Sequence, residues 1–454
     1  MTIEELLSEY EKYNPSSKRL WERAKNNIPG GISANVKYYT PFPLYMKSGQ
    51  GAYLTDVDDH RYIDYSLSYG PLVLGHGRKE ISDALTEYLD LHGTFLYGPP
   101  HEGEIQLAEL LKEYYPSMER IRFTNSGTEA TLLATRISAA YTGKYKIAKF
   151  EGHYHGGHNA VLVSVNPNVR KAGNEKRPTP LRGSAGISDE QLSMTIVLPF
   201  NDLEACRTIL YEHQDDVGCV IIEPFQGGTI PGTKEFILGL RDITREMGML
   251  LVFDEVKTGF RVGMKGAQGI YGVDPDLTTL GKIIGGGFPI GALGGKKEIM
   301  DLADPSRIGF FDKDKTIDRS TAILFHSGTY NGHPAIVALG IKTIRILEKE
   351  LDTVSKNTEV LKNKIRNMYA KHGVRVLTPG TGAMFHICIT DQKEIQSYRD
   401  MKKCDFGLRR RLDYALMMEG VYNKPCTRYH TSTAHTEEIV DLTLEAYERA
   451  FRRV

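Results

Sequence analysis

Residues 217–222 read VGCVII, a short apolar run of the kind that forms a buried β-strand. An amphipathic helix is predicted next, because apolar side chains recur at helical spacing at Phe236, Ile237, Leu240, Ile243 and Met247, and Gly248 is typical of a helix end. Residues 249–253, MLLVF, form a second buried-strand pattern. Strand, helix and strand in this order predict an α/β fold, with a parallel sheet covered by helices on both faces.

Each of these two predicted strands ends at an acid, Glu223 after the first and Asp254 after the second. Ligands of such sheets bind beyond the carboxyl ends of the strands, where both acids are expected to lie. A carboxylate at the end of a buried strand is costly unless it is paired. For Asp254 the partner is either a cationic ring nitrogen of a bound ligand or a set of backbone N–H groups.

A second feature is the stretch TNSGTEA, residues 124–130, between a strand-like segment and a good helix. The N–H groups of a helix start, with the Ser126 and Thr128 hydroxyls beside them, suit a phosphate group. An ordinary helix N-cap, with Glu129 near the positive end of the helix, is the alternative.

The stretch FEGHYHGGH, residues 150–158, places aromatic and imidazole rings between glycines. Such rings can lie flat against a planar ligand, or the segment can be a structural turn. The three histidines also suggest a metal site, but no cysteine or carboxylate cluster completes a ligand set, so we expect none.

Lys282 lies in LTTLGKIIGGG, residues 277–287, between an apolar strand and a glycine-rich turn. Desolvation there favours the neutral amine, which Schiff-base chemistry requires, and the glycines allow close approach of a cofactor. An exposed lysine beside a turn is the alternative. Taken together, the four features supply a phosphate site, a stacking ring, an acid for a ring nitrogen and an amine for an aldehyde, which are the parts that hold pyridoxal phosphate.

The stretches RFTNSGTEA, FEGHYHG, DEVKTGFR and LTTLGKIIGGG make the chain resemble the fold-type I, class III aminotransferases, in the branch of glutamate-1-semialdehyde 2,1-aminomutase. The resemblance implies that Lys282 forms an internal aldimine and moves protons, and that Asp254 pairs with the pyridine nitrogen. The cofactor-binding residues that it implies are Ser126, Gly127, Thr128, Tyr154, His155, Glu223, Val256 and Thr329. Tyr154 and Val256 would take opposite faces of the ring, and Thr329 would reach the phosphate of a partner subunit, so a homodimer with shared active sites is expected.

The domain organisation expected from the resemblance is a large cofactor-binding domain, residues 76–335, with a mostly parallel seven-stranded sheet. Residues 336–454 form a smaller α+β domain, which residues 1–75 join. Residues 51–65 predict a hairpin around Asp58-Asp59-His60. The polar stretches Asn166–Gln191 and Arg307–Ser320 are either long loops, of the kind that form lids or interfaces, or disordered.

The composition narrows the function classes. Lys+Arg and Asp+Glu both number 57, so nothing suggests a nucleic-acid partner. Five cysteines without CxxC spacing indicate thiols in a reducing cytoplasm. We expect no signal peptide in MTIEELLSEYEKYN and no membrane span, since no apolar run reaches the ~18 residues that a span needs.

The reaction class is less closely defined by the sequence. YGPLVLGH, residues 69–76, resembles the aminomutase. That enzyme, however, has an arginine near the position of Lys37 and a Ser-Gln-Phe-Glu stretch in its C-terminal active-site loop, where this chain has PCTRYH, residues 425–430. Other segments resemble β-amino-acid and D-phenylglycine aminotransferases. The sequence therefore predicts transfer of an amino group from an α- or β-amino acid to a keto acid, with an aminomutase or epimerase as the alternative. Lys37, Tyr69 and Arg428 are the candidate substrate-binding residues.

Overall fold

The computed structural model describes residues 1–308 and 323–454, so the predicted loop Arg307–Ser320 lies, from residue 309 onward, outside the described residues. The α-helices of the described residues are α1 Ile3–Tyr13, α2 Pro15–Lys25, α3 Lys79–His92, α4 Glu102–Tyr114, α5 Gly127–Thr142, α6 Asp189–Ser193, α7 Leu203–Glu212, α8 Lys234–Glu246, α9 Gly266–Tyr271, α10 Lys297–Met300, α11 Pro334–Lys371, α12 Tyr398–Lys402, α13 Phe406–Met418 and α14 Glu437–Phe451.

The strands of the same residues are β1 Met46–Gln50, β2 Tyr53–Asp56, β3 Arg61–Asp64, β4 Arg120–Thr124, β5 Lys146–Phe150, β6 Gly173–Asn174, β7 Arg177–Pro178, β8 Thr195–Leu198, β9 Val217–Ile222, β10 Phe225–Gln226, β11 Ile230–Pro231, β12 Leu250–Asp254, β13 Leu277–Gly281, β14 Gly291–Gly295, β15 Val376–Leu377, β16 Met384–Phe385, β17 Cys388–Ile389, β18 Val421–Tyr422 and β19 Tyr429–His430. None of the helices in the described ranges is long and apolar enough to cross a membrane.

The chain divides into two compact units. Unit 1 comprises Met1–Ser82, Glu350–Ile395 and Lys403–Val454, and unit 2 comprises Asp83–Lys349 and Gln396–Lys402. The core of unit 1 contains many buried tyrosines. Some of their hydroxyl groups form hydrogen bonds with one another, as between Tyr429 and Tyr447, whose hydroxyl oxygens lie 3.0 Å apart.

Unit 1 also contains the predicted hairpin. Strands β2 and β3 pair antiparallel around the Asp58-Asp59 turn, as the alternating pattern of residues 51–65 indicates. They belong to a four-stranded sheet of order β1-β2-β3-β18, in which β18 comes from the C-terminal part of the chain and runs parallel to β3.

Unit 2 contains a seven-stranded sheet of order β4-β14-β13-β12-β9-β5-β8. The contacts β13-β12, β12-β9, β9-β5 and β5-β8 are parallel, and only β14 runs against its neighbours β13 and β4. The predicted mostly parallel, seven-stranded sheet is thus confirmed. The decisive strand–helix–strand unit is β9-α8-β12, with α8 capped by Thr233 at its start and ended by a left-handed Gly248.

This topology determines where the functional side chains lie. Because β4, β5, β9, β12 and β13 all run in one direction, their carboxyl ends meet at one edge of the sheet. The segments that follow these ends carry Ser126, Tyr154, Glu223 and Lys282, while Asp254 is the last residue of β12. We call this edge the carboxyl edge of unit 2.

Candidate active site

Asp254 is a buried acid of the carboxyl edge. It is 4% exposed, and its Oδ2 lies 2.8 Å from His155 Nδ1. Its Oδ1 accepts hydrogen bonds from the Val256 N–H, at 3.1 Å, and the Thr279 hydroxyl, at 3.2 Å. Burial raises the pKa of the carboxyl, while Lys257, the Val256 N–H and Lys282 act in the opposite direction.

His155 complements this carboxyl. Burial holds the pKa of its imidazole well below the usual range, so the ring is neutral at pH 7. A neutral ring that serves Asp254 donates its Nδ1–H, which leaves Nε2 as an acceptor. Within residues 1–308 and 323–454 that buried Nε2 atom finds no hydrogen-bond partner. The imidazole therefore holds one carboxylate oxygen in place without adding charge.

Lys282 follows the end of β13, the strand next to β12, so its side chain starts from the same edge as Asp254. Its ammonium group interacts electrostatically with the Asp254 carboxyl. The backbone of Lys282 has φ +52°, in the left-handed region that costs a residue with a side chain about 1–2 kcal/mol. Such strain at a strand end is typical of positions where the direction of a side chain matters for function.

The start of α5 forms the next part of the site. The Ser126 hydroxyl caps the helix by accepting from the Glu129 N–H at 3.2 Å, so the capping alternative is present. The first N–H groups of a helix still point outward from its end, where they suit an anion. A Cβ at Gly127 would lie 2.8 Å and 2.9 Å from the two Val256 methyl carbons, so Val256 packs directly on the helix start and only glycine fits there.

Thr128 connects this helix start to the loop after β5, which carries Tyr154, because its Oγ1 accepts from the Gly157 N–H at 3.2 Å. Tyr154, in the same loop, keeps 45% of its surface exposed. Its N–H donates to Glu223 Oε2 at 3.0 Å, so Glu223 fixes the backbone from which the ring projects.

Glu223 itself is 2% exposed and is paired with the Lys257 ammonium. Burial favours protonation of this carboxyl, but the positive charge of Lys257 outweighs it, and the pKa is lowered to about 2. Lys257 also lies 5.3 Å from the centre of the Tyr154 ring, within cation–π range. Sequence reasoning missed Lys257, although its place three residues after Asp254, directly beyond the strand end, was the available signal.

Thr329 lies on the exposed turn of residues 328–331 in unit 2. This turn adjoins the segment directly before α5, because Asn125 Nδ2 donates to Asn331 Oδ1 at 3.0 Å. The Thr329 side chain is exposed, and its role toward a partner subunit stays a prediction.

The candidate substrate residues Lys37, Tyr69 and Arg428 all belong to unit 1. Lys37 and Tyr69 line one cavity of about 440 Å³, whose other walls include Ser33, Ser68 and apolar side chains such as Ile32. Lys37 Nζ donates to Ser33 Oγ at 2.7 Å, and its side chain is exposed. Arg428 is half-buried directly before β19 and is not among the residues that line this cavity.

The backbone carbonyl of Val36 joins two of these segments. It accepts from the Tyr69 hydroxyl at 3.0 Å and also from the Lys424 ammonium. Lys424 is half-buried, and burial lowers its pKa. Sequence reasoning missed Lys424, because the contact joins positions that are far apart in the chain.

The residues of unit 2 fit pyridoxal phosphate in their chemistry. The carboxyl edge offers an amine at Lys282, a buried acid at Asp254, a partly exposed aromatic ring at Tyr154 and a helix start against which Val256 packs. Among the described residues no group of three or more His, Cys, Asp or Glu side chains is arranged to hold a metal. His153 instead accepts from the Glu223 N–H, and His155 serves Asp254.

Comparison with known proteins places these features in context. A family model described as "Aminotransferase class-III" matches residues 34–446. A glutamate-1-semialdehyde 2,1-aminomutase from Ignicoccus hospitalis is 41% identical over 444 residues, covering 96% of this chain and 99% of the relative. An omega-transaminase from Sphaerobacter thermophilus has a similar structure, with a TM-score of 0.88, 33% identity and coverage of 96% and 97% of the two chains. A transaminase solved with pyridoxal phosphate bound is also similar, with a TM-score of 0.83 and 29% identity. The match covers 97% of this chain and 98% of the transaminase.

Proposed function

Because the chain belongs to the class-III aminotransferase family and is a pyridoxal-phosphate enzyme of fold-type I, we propose that it is an aminomutase that moves an amino group within glutamate 1-semialdehyde. The observation that carries the choice of reaction is the 41% identity with the Ignicoccus hospitalis aminomutase along nearly the whole of both chains. This choice reverses the preference for intermolecular transamination that the sequence segments alone favour.

When bound, pyridoxal phosphate supplies an aldehyde that condenses with amines and a ring that withdraws electrons from the reacting carbon. Lys282 would hold this aldehyde through its ε-amine, and the same amine would move protons at the reacting carbon. The left-handed backbone of Lys282 sets the direction in which its side chain leaves the end of β13. Proton transfer by a positioned amine typically contributes a factor of about 10²–10⁴ to the rate.

Asp254 holds the ring nitrogen in its protonated form, in which the ring withdraws electrons most strongly. The hydrogen bonds from His155, Thr279 and the Val256 N–H keep its carboxylate oriented and ionised. Tyr154 and Val256 would hold the ring from its two faces. Ser126, Gly127 and Thr128 bind the phosphate through the start of α5, and Glu223 supports the Tyr154 backbone.

A homodimer with shared active sites completes the proposal. The support is the exposed Thr329 turn beside the start of α5, together with large apolar side chains that unit 2 leaves exposed, such as Leu91 at 79%, Phe95 at 70% and Phe325 at 77%. Exposed apolar surface of this kind is typical of an interface. A cytoplasmic location stays a prediction from the sequence.

Lys37, with Tyr69 beside it, would bind the substrate carboxylate in the unit 1 cavity, and Arg428 is the second candidate. A lysine offers a point charge where an arginine would offer a planar pair of donors, so we expect weaker geometric selection of the carboxylate.

A second candidate function is transamination of an amino acid with a keto acid. The 33% identity with the Sphaerobacter thermophilus omega-transaminase and the lysine at position 37 favour it. It uses the same Lys282 chemistry but consumes an external acceptor.

Turnover of glutamate 1-semialdehyde by the holoenzyme, with and without added pyruvate or 2-oxoglutarate, separates the two reactions. An aminomutase forms 5-aminolevulinate without a keto acid, whereas a transaminase turns over α- or β-amino donors only when an acceptor is present. Lys282→Ala is the negative control. If glutamate 1-semialdehyde is not converted while an amino donor and pyruvate are, the aminomutase proposal is wrong.

A further inference from the structure

Residues Gln396–Lys402 belong to unit 2, although Ile395 before them and Lys403 after them belong to unit 1. This short segment contains α12. Its side chains contact the loop that follows β5, which begins at Glu151 and carries Tyr154.

The main contact is a buried, two-point ion pair. Arg399 Nε donates to Glu151 Oε2 at 2.8 Å, and its Nη2 donates to Oε1 at 3.0 Å. The two side chains are only 12% and 7% exposed. The same guanidinium reaches the carbonyls of Gly173, at 2.9 Å, and Ala172, at 3.1 Å, so it joins both ends of the loop after β5.

The residue before it adds a second contact. The Tyr398 hydroxyl lies 2.7 Å from Asn166 Oδ1 and 2.8 Å from the Pro167 carbonyl. Gly152 has φ +79°, and a Cβ there would lie 2.6 Å from Tyr398 Cβ. The backbone of the loop at Gly152 therefore lies directly against this tyrosine.

The backbone between Glu151 and Tyr154 is held at successive residues. The Glu151 carbonyl accepts from Gln226 Nε2 at 2.7 Å, and the His153 carbonyl accepts from the buried Lys149 ammonium at 2.9 Å. The Tyr154 N–H then donates to Glu223. A displacement of Glu151 would consequently be passed along a constrained backbone to the Tyr154 ring.

We propose that Arg399 and Tyr398 are positioning residues that hold the loop after β5 so that the Tyr154 ring is in place before pyridoxal phosphate binds. The inference rests on the proposed stacking of Tyr154 on the cofactor. It assigns a cofactor-site role to a segment of the C-terminal part of the chain. Neither residue is assigned a contact with the reacting atoms.

The test compares cofactor binding by Arg399→Met and Arg241→Met. Arg241 is the matched control, because it also makes a buried two-point pair in unit 2, with Asp276, 2.6 Å and 3.1 Å between the paired atoms. Asp276 precedes β13, at the sheet edge opposite to Lys282. The readouts are the dissociation constant of pyridoxal phosphate from absorbance titration of the apoenzyme, the visible circular dichroism of the bound cofactor and hydrogen exchange of residues 151–174.

We expect Arg399→Met to raise the cofactor dissociation constant at least tenfold, to weaken the visible circular dichroism and to speed hydrogen exchange in residues 151–174. Arg241→Met should lower the Tm while the dissociation constant stays within twofold of the wild type. Arg399→Lys keeps the charge but loses the two-point geometry, so its cofactor dissociation constant should lie between those of the wild type and Arg399→Met. Glu151→Gln should add little to the effect of Arg399→Met, because both act through one pair.

If Arg399→Met lowers the Tm like the control but leaves the dissociation constant and the circular dichroism within twofold, the positioning role is refuted. Should Arg399→Met fail to fold, Arg399→Lys and Tyr398→Phe decide by the same readouts. Tyr154→Ala separates the two proposals. If Tyr154→Ala weakens cofactor binding and Arg399→Met does not, only the inference on Arg399 is refuted. If Arg399→Met weakens cofactor binding and Tyr154→Ala does not, the stacking of Tyr154 is refuted.

Discussion

His155 Nδ1 and Asp254 Oδ2 lie 2.8 Å apart in a buried environment, and burial shifts both pKa values toward the uncharged forms. The Nδ1–H bond is therefore part of what keeps Asp254 ionised. A hydrogen bond to a charged group of this kind contributes about 1.5–3 kcal/mol, which corresponds to roughly 1–2 pKa units.

His155→Phe is expected to raise the pKa of Asp254, because the ionised carboxylate loses a donor while the neutral acid loses less. The functional form of Asp254 is the carboxylate, so activity falls as the pH falls through this pKa. The acidic limb of the profile of kcat/KM against pH should move to higher pH by roughly 1–2 units. His158→Phe in the same loop is the control. If the acidic limb of the His155→Phe profile stays at the wild-type pH, His155 does not act on Asp254.

Gly127→Ala tests the close packing at the start of α5. The added Cβ would meet the Val256 methyl carbons at 2.8 Å and 2.9 Å, so either Val256 or the helix start must move. We expect cofactor affinity to fall at least tenfold and the Tm to fall, although alanine by itself favours a helix over glycine. Val256→Ala in the same chain removes the clash and should restore the Tm while cofactor affinity stays low. If the double variant is no more stable than Gly127→Ala, the clash with Val256 is not the cause.

The acid-dependent stability of the apoenzyme should reveal the buried Glu223. Its pKa is lowered to about 2 in the folded chain from 4.5, so its contribution to stability is fully present above the unfolded value and is lost as the pH falls toward 2. A shift of this size is equivalent to about 3 kcal/mol. Urea unfolding should therefore show Glu223→Gln less stable than the wild type by about this amount at pH 7, with the difference shrinking below pH 4.

Glu246→Gln is the comparison for that experiment, because Glu246 pairs with Arg207 while its side chain is 61% exposed. Surface pairs contribute ~0–1 kcal/mol, so its effect should be small at every pH. A Glu223→Gln destabilisation that does not change with pH would contradict the assignment of the effect to ionisation.

These cases show which parts of the site a sequence pattern can predict. The strands β9 and β12 are short apolar runs with acids at their ends, so both the sheet and the position of Glu223 and Asp254 could be read from local sequence. The ion pair Arg399–Glu151 could not, since it joins positions 248 residues apart and each residue alone resembles an ordinary surface charge. The junction at the Val36 carbonyl was missed for the same reason, because Lys424 is 388 residues away. Long-range partners of backbone groups have no periodic signature, so only the folded chain identifies them.

Hybrid dimers provide a test of shared active sites. If each site combines Lys282 of one subunit with Thr329 of the other, Lys282→Ala dimers should be inactive and Thr329→Ala dimers should bind the cofactor poorly. A hybrid of the two variant subunits should regain one intact site, and therefore about half the wild-type activity per dimer at low cofactor concentration. Subunits purified with two different affinity tags allow the hybrid to be isolated. No gain of activity in a hybrid of confirmed composition would refute the contribution of Thr329 across the interface.

The Val36 carbonyl gives the last prediction, which concerns substrate binding. Lys37→Ala removes a charge that faces the unit 1 cavity, so the KM for the carboxylate substrate should rise about tenfold or more, with a smaller change in kcat. Lys424→Met removes only one donor to the Val36 carbonyl, which still accepts from the Tyr69 hydroxyl. The KM of Lys424→Met should therefore rise less than that of Lys37→Ala. In Lys424→Met combined with Tyr69→Phe the carbonyl loses both donors. The rise in KM should then exceed the product of the single effects, because each donor compensates for loss of the other. Single and double variants that all keep the wild-type KM would place the substrate carboxylate elsewhere, and Arg428→Ala would become the decisive variant.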